Sequence, residues 1–359
     1  MSTQHPALFG IKHSNRNFAD AYYWGKNQFN SSFPVALACY MRSQNLPLIQ
    51  VQYQNAKKTT LGLIDVQDVW GSSKANDQLY FAFEHRYDPF LGAVHDDLPA
   101  IDLVICDGEK SLPIRPLEIK LTTLPDNTTE SLGEQFYGTE LVIRSATTRY
   151  MALSISESVA KQRKKVQAIF SPVLAKMRDW DSKDVALKIS PDVITALCSF
   201  FDEFKALQRP LLMQPIWKTV GKSPQLADQC LDIFVWTDFA LAHLFLESAI
   251  SASQQGNMTR QLRTAIRLAR FLYERSRDDK VYQAPIYDGM TYDLQNDKEF
   301  AVSGTKTRPL MAHERLIRPA VSKEEIKRII LGGGQKFLSP ERRFDAILYF
   351  STDLFGNPT

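Results

Sequence analysis

The stretch "AIDLVICDGEKSLPIRPLEIKL", residues 100–121, decides how the chain is read. Two apolar arms, residues 101–106 and about 115–122, flank "DGEKSLP", whose Asp-Gly, Ser and Pro are turn formers. The pattern predicts a β-hairpin with its turn centred near Lys110, which sets Asp102 opposite Glu118. Side chains alternate between the faces of a strand, so Glu118 and Lys120 point one way and Leu117, Ile119 and Leu121 the other. Two carboxylates and one ammonium then share a face, with aliphatic packing behind them. Asp102 follows Ile101 and precedes "LVI", and Glu118 lies between leucine and isoleucine. Such neighbours indicate central strands, where a charge is costly unless it is used.

Close carboxylates repel and raise a pKa unless a cation lies between them. Mg2+ suits that role, because it accepts one or two protein carboxylates and keeps several waters. One such water can be acidified into a nucleophile while the ion offsets charge on a phosphate oxygen. Lys120 is placed to orient the water or to stabilise charge developing in the transition state. The set suits hydrolysis of a phosphodiester. The plain alternative is an exposed sheet face whose charges have no further role.

Working outward, 359 residues suffice for one large domain or two ordinary ones. Apolar residues at 44% and charged residues at 23% exclude disorder as the default. No run approaches the roughly 20 apolar residues of a membrane span. The opening "MSTQHPALFGIKHSNRNF" has no apolar signal core, so the expected location is the cytoplasm. Cys39, Cys106, Cys198 and Cys230 are far apart and form no C-x-x-C pair, which argues against structural zinc and suits a reducing compartment. The formal net charge of +3 neither demands nor excludes nucleic acid, so the placement of basic residues matters more.

Strands are expected at "LPLIQVQYQ", "TTLGLIDVQDV", "QLYFAFEHRY", "ELVIRS", "CLDIFVW" and "RFDAILYF", and helices from Pro34 to Met41 and at "TTESLGEQFY" and "SKEEIKRIIL". Further helices are expected over "SESVAKQRKKVQAIFSPVLAKMRDW", interrupted near Pro172, and over "DVITALCSFFDEFKAL", "TDFALAHLFLESAISAS" and "MTRQLRTAIRLARFLYERSRD". The fold class is therefore α/β: residues 1–150 form a sheet region with a polar N-terminal arm, and residues 151–359 form a helical and mixed region. No clean linker separates them, so one cooperative unit is expected.

Basic and amide-rich segments are the candidate DNA contacts. Arg260, Arg263, Arg267 and Arg270 recur at helical spacing, opposite Leu262, Ala265, Ile266, Ala269 and Leu272. Such a stripe can track phosphates, or it can pair with acidic neighbours such as Glu274. "HSNRN" and "GKNQFN" carry Arg16, Lys26, Asn27 and Gln28, side chains that read base edges or fix phosphates. Lys306 and Arg308 belong to a similar loop-like stretch, while "GGG" at 332–334 reads as a helix stop rather than a phosphate cradle.

"PAID" and, after fifteen intervening residues, "EIK" resemble the PD-(D/E)XK nuclease signature held by many type II restriction endonucleases. The resemblance implies a mixed central sheet flanked by helices, Asp102 and Glu118 as metal ligands, and Lys120 as the catalytic lysine. Ala100 and Ile101 separate Pro99 from Asp102, a departure that touches the proline and not the carboxylate. Some such families add an earlier acidic residue, for which Glu84 is the match. The opening "FGIKHSNRNF" and "WGKNQFNSSFP", with the overall length, resemble the HindVP group, which recognises GRCGYC (R purine, Y pyrimidine). The resemblance further implies double-stranded DNA as substrate, 5′-phosphate products, a homodimer and a cognate DNA methyltransferase. A non-specific or structure-specific nuclease of the same type and a non-catalytic DNA-binding protein are the rival readings.

Overall fold

The computed structural model describes residues 47–302 apart from 56–57, 122–140, 208–210, 214–217, 221–222, 226–231 and 236–238, together with 11, 13–16, 34, 35, 38, 39, 42 and 45. Its frame is an eight-stranded sheet assembled around the hairpin. Strand β5 (Ile101–Asp107) pairs antiparallel with β6 (Pro113–Leu121) on one side and with β4 (Leu79–His85) on the other. Beyond β4 a two-residue strand, β1 (His13–Ser14), adds a parallel edge. On the far side of β6 the order continues through β11 (Asp232–Val235), β8 (Leu211–Met213), β2 (Leu48–Asn55) and β3 (Lys58–Ile64), all antiparallel. Two small ribbons stand apart, β9 (Lys218–Val220) with β10 (Ser223–Gln225), and β7 (Leu141–Arg144) with β12 (Lys298–Val302).

Both faces of the sheet are covered. Helices α2 (Ser145–Ser158), α3 (Arg163–Leu174), α4 (Lys183–Phe204), α5 (Phe239–Gln254) and α6 (Arg260–Arg277) form one layer. Helix α6 is its hub, packing against α2, α3, α4, α5 and β12. The large apolar core joins this layer to the sheet through Tyr53, Ala82, Val104 and Cys106. The opposite sheet face buries Phe81, Phe83, Leu103, Ile105 and Leu117. Short helix α1 (Val66–Trp70) packs there, with Trp70 edge-on to Phe81 at 5.7 Å.

Several element boundaries differ from the sequence reading, among them the start of α2 at Ser145 rather than near residue 155. "DVQDV" is helical rather than extended, because Val66, Val69 and Trp70 recur at helical spacing and are buried while Gln67 and Asp68 face outward. Gly71, with φ +69, then ends that helix in a left-handed turn that a β-branched residue would resist. Pro172 lies inside α3 near its end; the break falls earlier, at 159–162, where Val159 leaves helical geometry. Helix α4 begins at Lys183, capped by Ser182, and contains Pro191. The described residues of the expected 34–41 helix (34, 35, 38 and 39) are helical. The segments "TTESLGEQFY", "SKEEIKRIIL" and "RFDAILYF" lie outside the described residues. Among the described residues no helix is long and apolar enough to cross a membrane.

Candidate active site

The hairpin register is the one the turn position implies. Leu103 pairs with Leu117 and Ile105 with Arg115, which carries Asp102 to the place opposite Glu118; a one-residue irregularity beside the turn absorbs the rest. Leu117 and Ile119 are buried on the far face. Asp102 and Glu118 therefore sit on the helix-covered face, and Asp102 Oδ2 accepts a hydrogen bond from the Ile119 N–H at 2.9 Å. The Lys120 ammonium is bonded to Glu118 Oε1. The three side chains read from the sequence are thus in one place.

One further group converges there. Thr147, in the first turn of α2 and fully buried, donates its hydroxyl to Glu118 Oε1 at 2.8 Å. One oxygen of Glu118 takes both Thr147 and Lys120, which fixes the carboxylate's rotamer. One turn further along α2, the Tyr150 hydroxyl donates to the Pro99 carbonyl at 2.8 Å and accepts from the Tyr87 N–H at 3.2 Å. It thereby ties α2 to the chain entering β5. The polar pair in "SATT" was the only trace of Thr147 in the sequence, and nothing local linked it to a strand 29 residues away.

The electrostatics set burial and like charge against one cation. Asp102 is pushed up to about 7, first by burial and then by Glu118; Lys120 and the Ile119 N–H pull the other way, and Glu84 adds a smaller push upward. Burial pulls Lys120 down, but the charges of Glu118 and Asp102 outweigh it and hold the ammonium above its ordinary value. Lys120 is therefore a firmly charged cation.

Glu84 lies on β4 where the register meets Asp102, between the pairs Phe83–Leu103 and His85–Ile101. Its side chain is 53% exposed and faces Arg16 at 3.6 Å. Among the described residues no group of three or more His, Cys, Asp and Glu side chains is arranged to hold a metal. The acidic site is thus the Asp102–Glu118 pair, with Glu84 alongside.

Two members of the arginine stripe are corrected. Arg263 and Arg267 are fully buried, not solvent-facing. Arg263 donates to the carbonyls of Thr291, Gln295 and Lys298, and Arg267 to that of Met290 and to Asn296 Oδ1. Arg267 is also paired with Glu299, itself fully buried and bonded by Thr264 at 2.9 Å. Arg270 pairs with Glu274 at 2.7 Å and lies over Trp180 at 4.9 Å. Arg260 is part-buried at the helix start. Helix α6 is buried along its middle, and the guanidinium groups of Arg263, Arg267 and Arg270 meet carbonyls where phosphates were expected. Arg16 is also engaged within the fold, with its guanidinium 4.2 Å from the Phe83 ring centre. Lys26, Asn27, Gln28, Lys306 and Arg308 lie outside the described residues.

Comparison with known proteins supplies the reaction class. The HindVP restriction endonuclease family profile matches residues 24–355. The chain is 41% identical to the type II restriction enzyme HgiDI of Herpetosiphon aurantiacus over 350 residues, covering 98% of this chain and 97% of that one. It is 39% identical to the probable type II restriction enzyme HindVP of Haemophilus influenzae over 350 residues, 98% and 95% of the two chains. No solved structure matches. A family match over nearly the whole length, together with two full-length relatives near 40% identity, shows that the chain belongs to the HindVP family of type II restriction endonucleases.

Proposed function

We propose that the protein cuts double-stranded DNA at a short, twofold-symmetric sequence in a Mg2+-dependent hydrolysis, with Asp102, Glu118 and Lys120 as its catalytic centre. One observation carries the choice of centre: the two carboxylates face each other across β5 and β6, and the Lys120 ammonium is bonded to one of them. The mixed sheet with helices against this face supports a PD-(D/E)XK-like arrangement.

The donor set fits a hard divalent cation. Asp102 Oδ1 and Glu118 Oε2 accept no hydrogen bond among the described residues. Asp102 stays protonated up to about 7 because it is buried and, next, because it faces the Glu118 charge, both of which a bound cation would offset. Mg2+ needs only one or two protein carboxylates, and Asp102 and Glu118 would hold it. Bound there, it would supply a water of lowered pKa and offset charge on a phosphate oxygen. Lys120 has three N–H donors, one used by Glu118; among the described residues no partner takes the others, which could serve a phosphate oxygen as charge develops. Thr147 keeps Glu118 in one rotamer, so the carboxylate need not reorganise when substrate arrives.

The reaction leaves 5′-phosphate and 3′-hydroxyl ends. A twofold target matches a homodimer in which each subunit cuts one strand, and a cognate methyltransferase protects the host's own sites. Resemblance to the HindVP group suggests GRCGYC as the sequence. Digestion of a plasmid of known sequence tests all of this. Discrete Mg2+-dependent fragments ending at one six-base sequence are expected, whereas a smear refutes site specificity. Glu118→Ala is expected to lose at least about 10³-fold in cutting rate while binding DNA within a few-fold of the parent. Undiminished cutting by Glu118→Ala removes the centre.

A further inference from the structure

The segment "HSNR", which reads in sequence as a base-contacting arm, is turned inward onto the strand beside the site. Asn15 grips the backbone of Phe83 from both sides: its Nδ2 donates to the Phe83 carbonyl at 2.8 Å, and its Oδ1 accepts from the Phe83 N–H at 2.9 Å. The Arg16 guanidinium covers the Phe83 ring at 4.2 Å and reaches Glu84 Oε1 at 3.6 Å, with the arginine side chain only 10% exposed. Ser14 closes the turn by donating to the Arg16 carbonyl at 3.2 Å.

What this bracket holds is unusual. Glu84, the penultimate residue of β4, has φ +48. A non-glycine residue keeps that conformation only where its surroundings impose it. The register sets this residue against Asp102, and the Glu84 charge is one of those that act on the Asp102 carboxyl.

We propose that Asn15 and Arg16 are positioning residues of the active site: Asn15 fixes the backbone that sets Glu84 beside Asp102, and Arg16 offsets the Glu84 charge, so that together they set the cation affinity of the centre. The proposal rests on the reading of Asp102 and Glu118 as cation ligands. Loss of Arg16 removes one positive charge from beside Glu84 and leaves the centre more negative by one. A more negative centre binds a divalent ion more tightly.

The test is titration of the full-length protein at pH 8 with Mn2+ alone, with free ion followed by electron paramagnetic resonance. Arg16→Ala is expected to tighten binding about threefold to tenfold, and Arg16→Lys to stay within twofold of the parent. Glu84→Gln, a change at an exposed side chain, is expected to weaken binding by a similar factor, and to remove the tightening when combined with Arg16→Ala. The salt dependence of DNA binding by Arg16→Ala is expected to keep the parental slope. Unchanged or weaker Mn2+ binding by Arg16→Ala overturns the proposal, as does a slope reduced by about one, the mark of a lost phosphate contact. Should Arg16→Ala not fold, parental Mn2+ affinity in Glu84→Gln overturns it alone. A Glu118→Ala protein that binds Mn2+ and cuts like the parent instead refutes the underlying site.

Discussion

At the scale of single residues, the proposed centre turns on Asp102. Its carboxyl ionises at about 7 in the folded chain against 3.8 as an isolated group. Below about pH 4 it is protonated both folded and unfolded. Between about 4 and about 7 only the folded chain holds the proton, so stability falls as pH rises through that window, and the full penalty remains above it. Asp102→Asn is therefore expected to raise Tm by a few degrees at pH 8 and to lose that advantage near pH 4. Added Mg2+ should raise the Tm of the parent and not that of the variant; a variant melting below the parent at pH 8 without metal would contradict the pairing. Thr147 gives a second expectation. Thr147→Val removes the hydroxyl that holds Glu118 at nearly constant volume, and it should cost about 10- to 100-fold in cutting rate, with Thr147→Ser recovering most of it. Equal rates in the valine and serine variants would reduce Thr147 to packing. The contrast between these two residues marks what the sequence discloses. Glu118 and Lys120 were legible because their alignment needs only the two-residue period of a strand. Thr147 was not, because its contact depends on how α2 docks. The place of Arg16 is hidden for a similar reason: an arginine bound for DNA and one that covers Phe83 look alike until the partner strand is known.

At the scale of elements, α6 shows the same limit. Its length and spacing were plain from apolar residues at helical intervals, and the helix spans Arg260–Arg277. The role of its arginines was not plain, because the helical period describes a face and not what covers it. The covering segment is 290–299, whose carbonyls from Met290, Thr291, Gln295 and Lys298 accept the guanidinium donors. A planar guanidinium with five donors satisfies several orphan carbonyls at once, as a lysine does not. Arg267→Ala leaves Glu299 buried without its closest cation, which costs roughly 3–5 kcal/mol. Urea unfolding is expected to show that loss, and Arg267→Ala combined with Glu299→Gln to recover part of it. The folded fraction should bind DNA with the parental salt slope. A stable Arg267→Ala protein with a flattened slope would return the helix to the DNA interface.

At the scale of the whole molecule, the sequence suggests a sheet half and a helical half, and the pairing order shows how closely they are joined. Strand β6, which carries Glu118 and Lys120, has β5 on one side and β11 on the other, with Val235 opposite Glu118 and Ile233 opposite Lys120. Strands β8 and β11 from the later half thus stand between β6 and β2 of the earlier half. The core that covers the acidic face is likewise built from α2 to α6. Cutting the chain at residue 150 would strip β6 of one neighbour, separate β2 and β3 from the rest of the sheet, and uncover Ala82, Val104 and Cys106. An exposed apolar edge of that kind drives association rather than folding. The expectation is a single calorimetric transition for the intact chain, with calorimetric and van't Hoff enthalpies in agreement, and no cooperative transition for residues 1–150 expressed alone. Two resolved transitions, or a folded 1–150 fragment that binds Mn2+ as the full chain does, would show that the acidic pair needs nothing from the later half. In a single cooperative unit, by contrast, the affinity of the site for its cation and the stability of the whole sheet rise and fall together, so Mg2+ should shift the one transition and leave none behind.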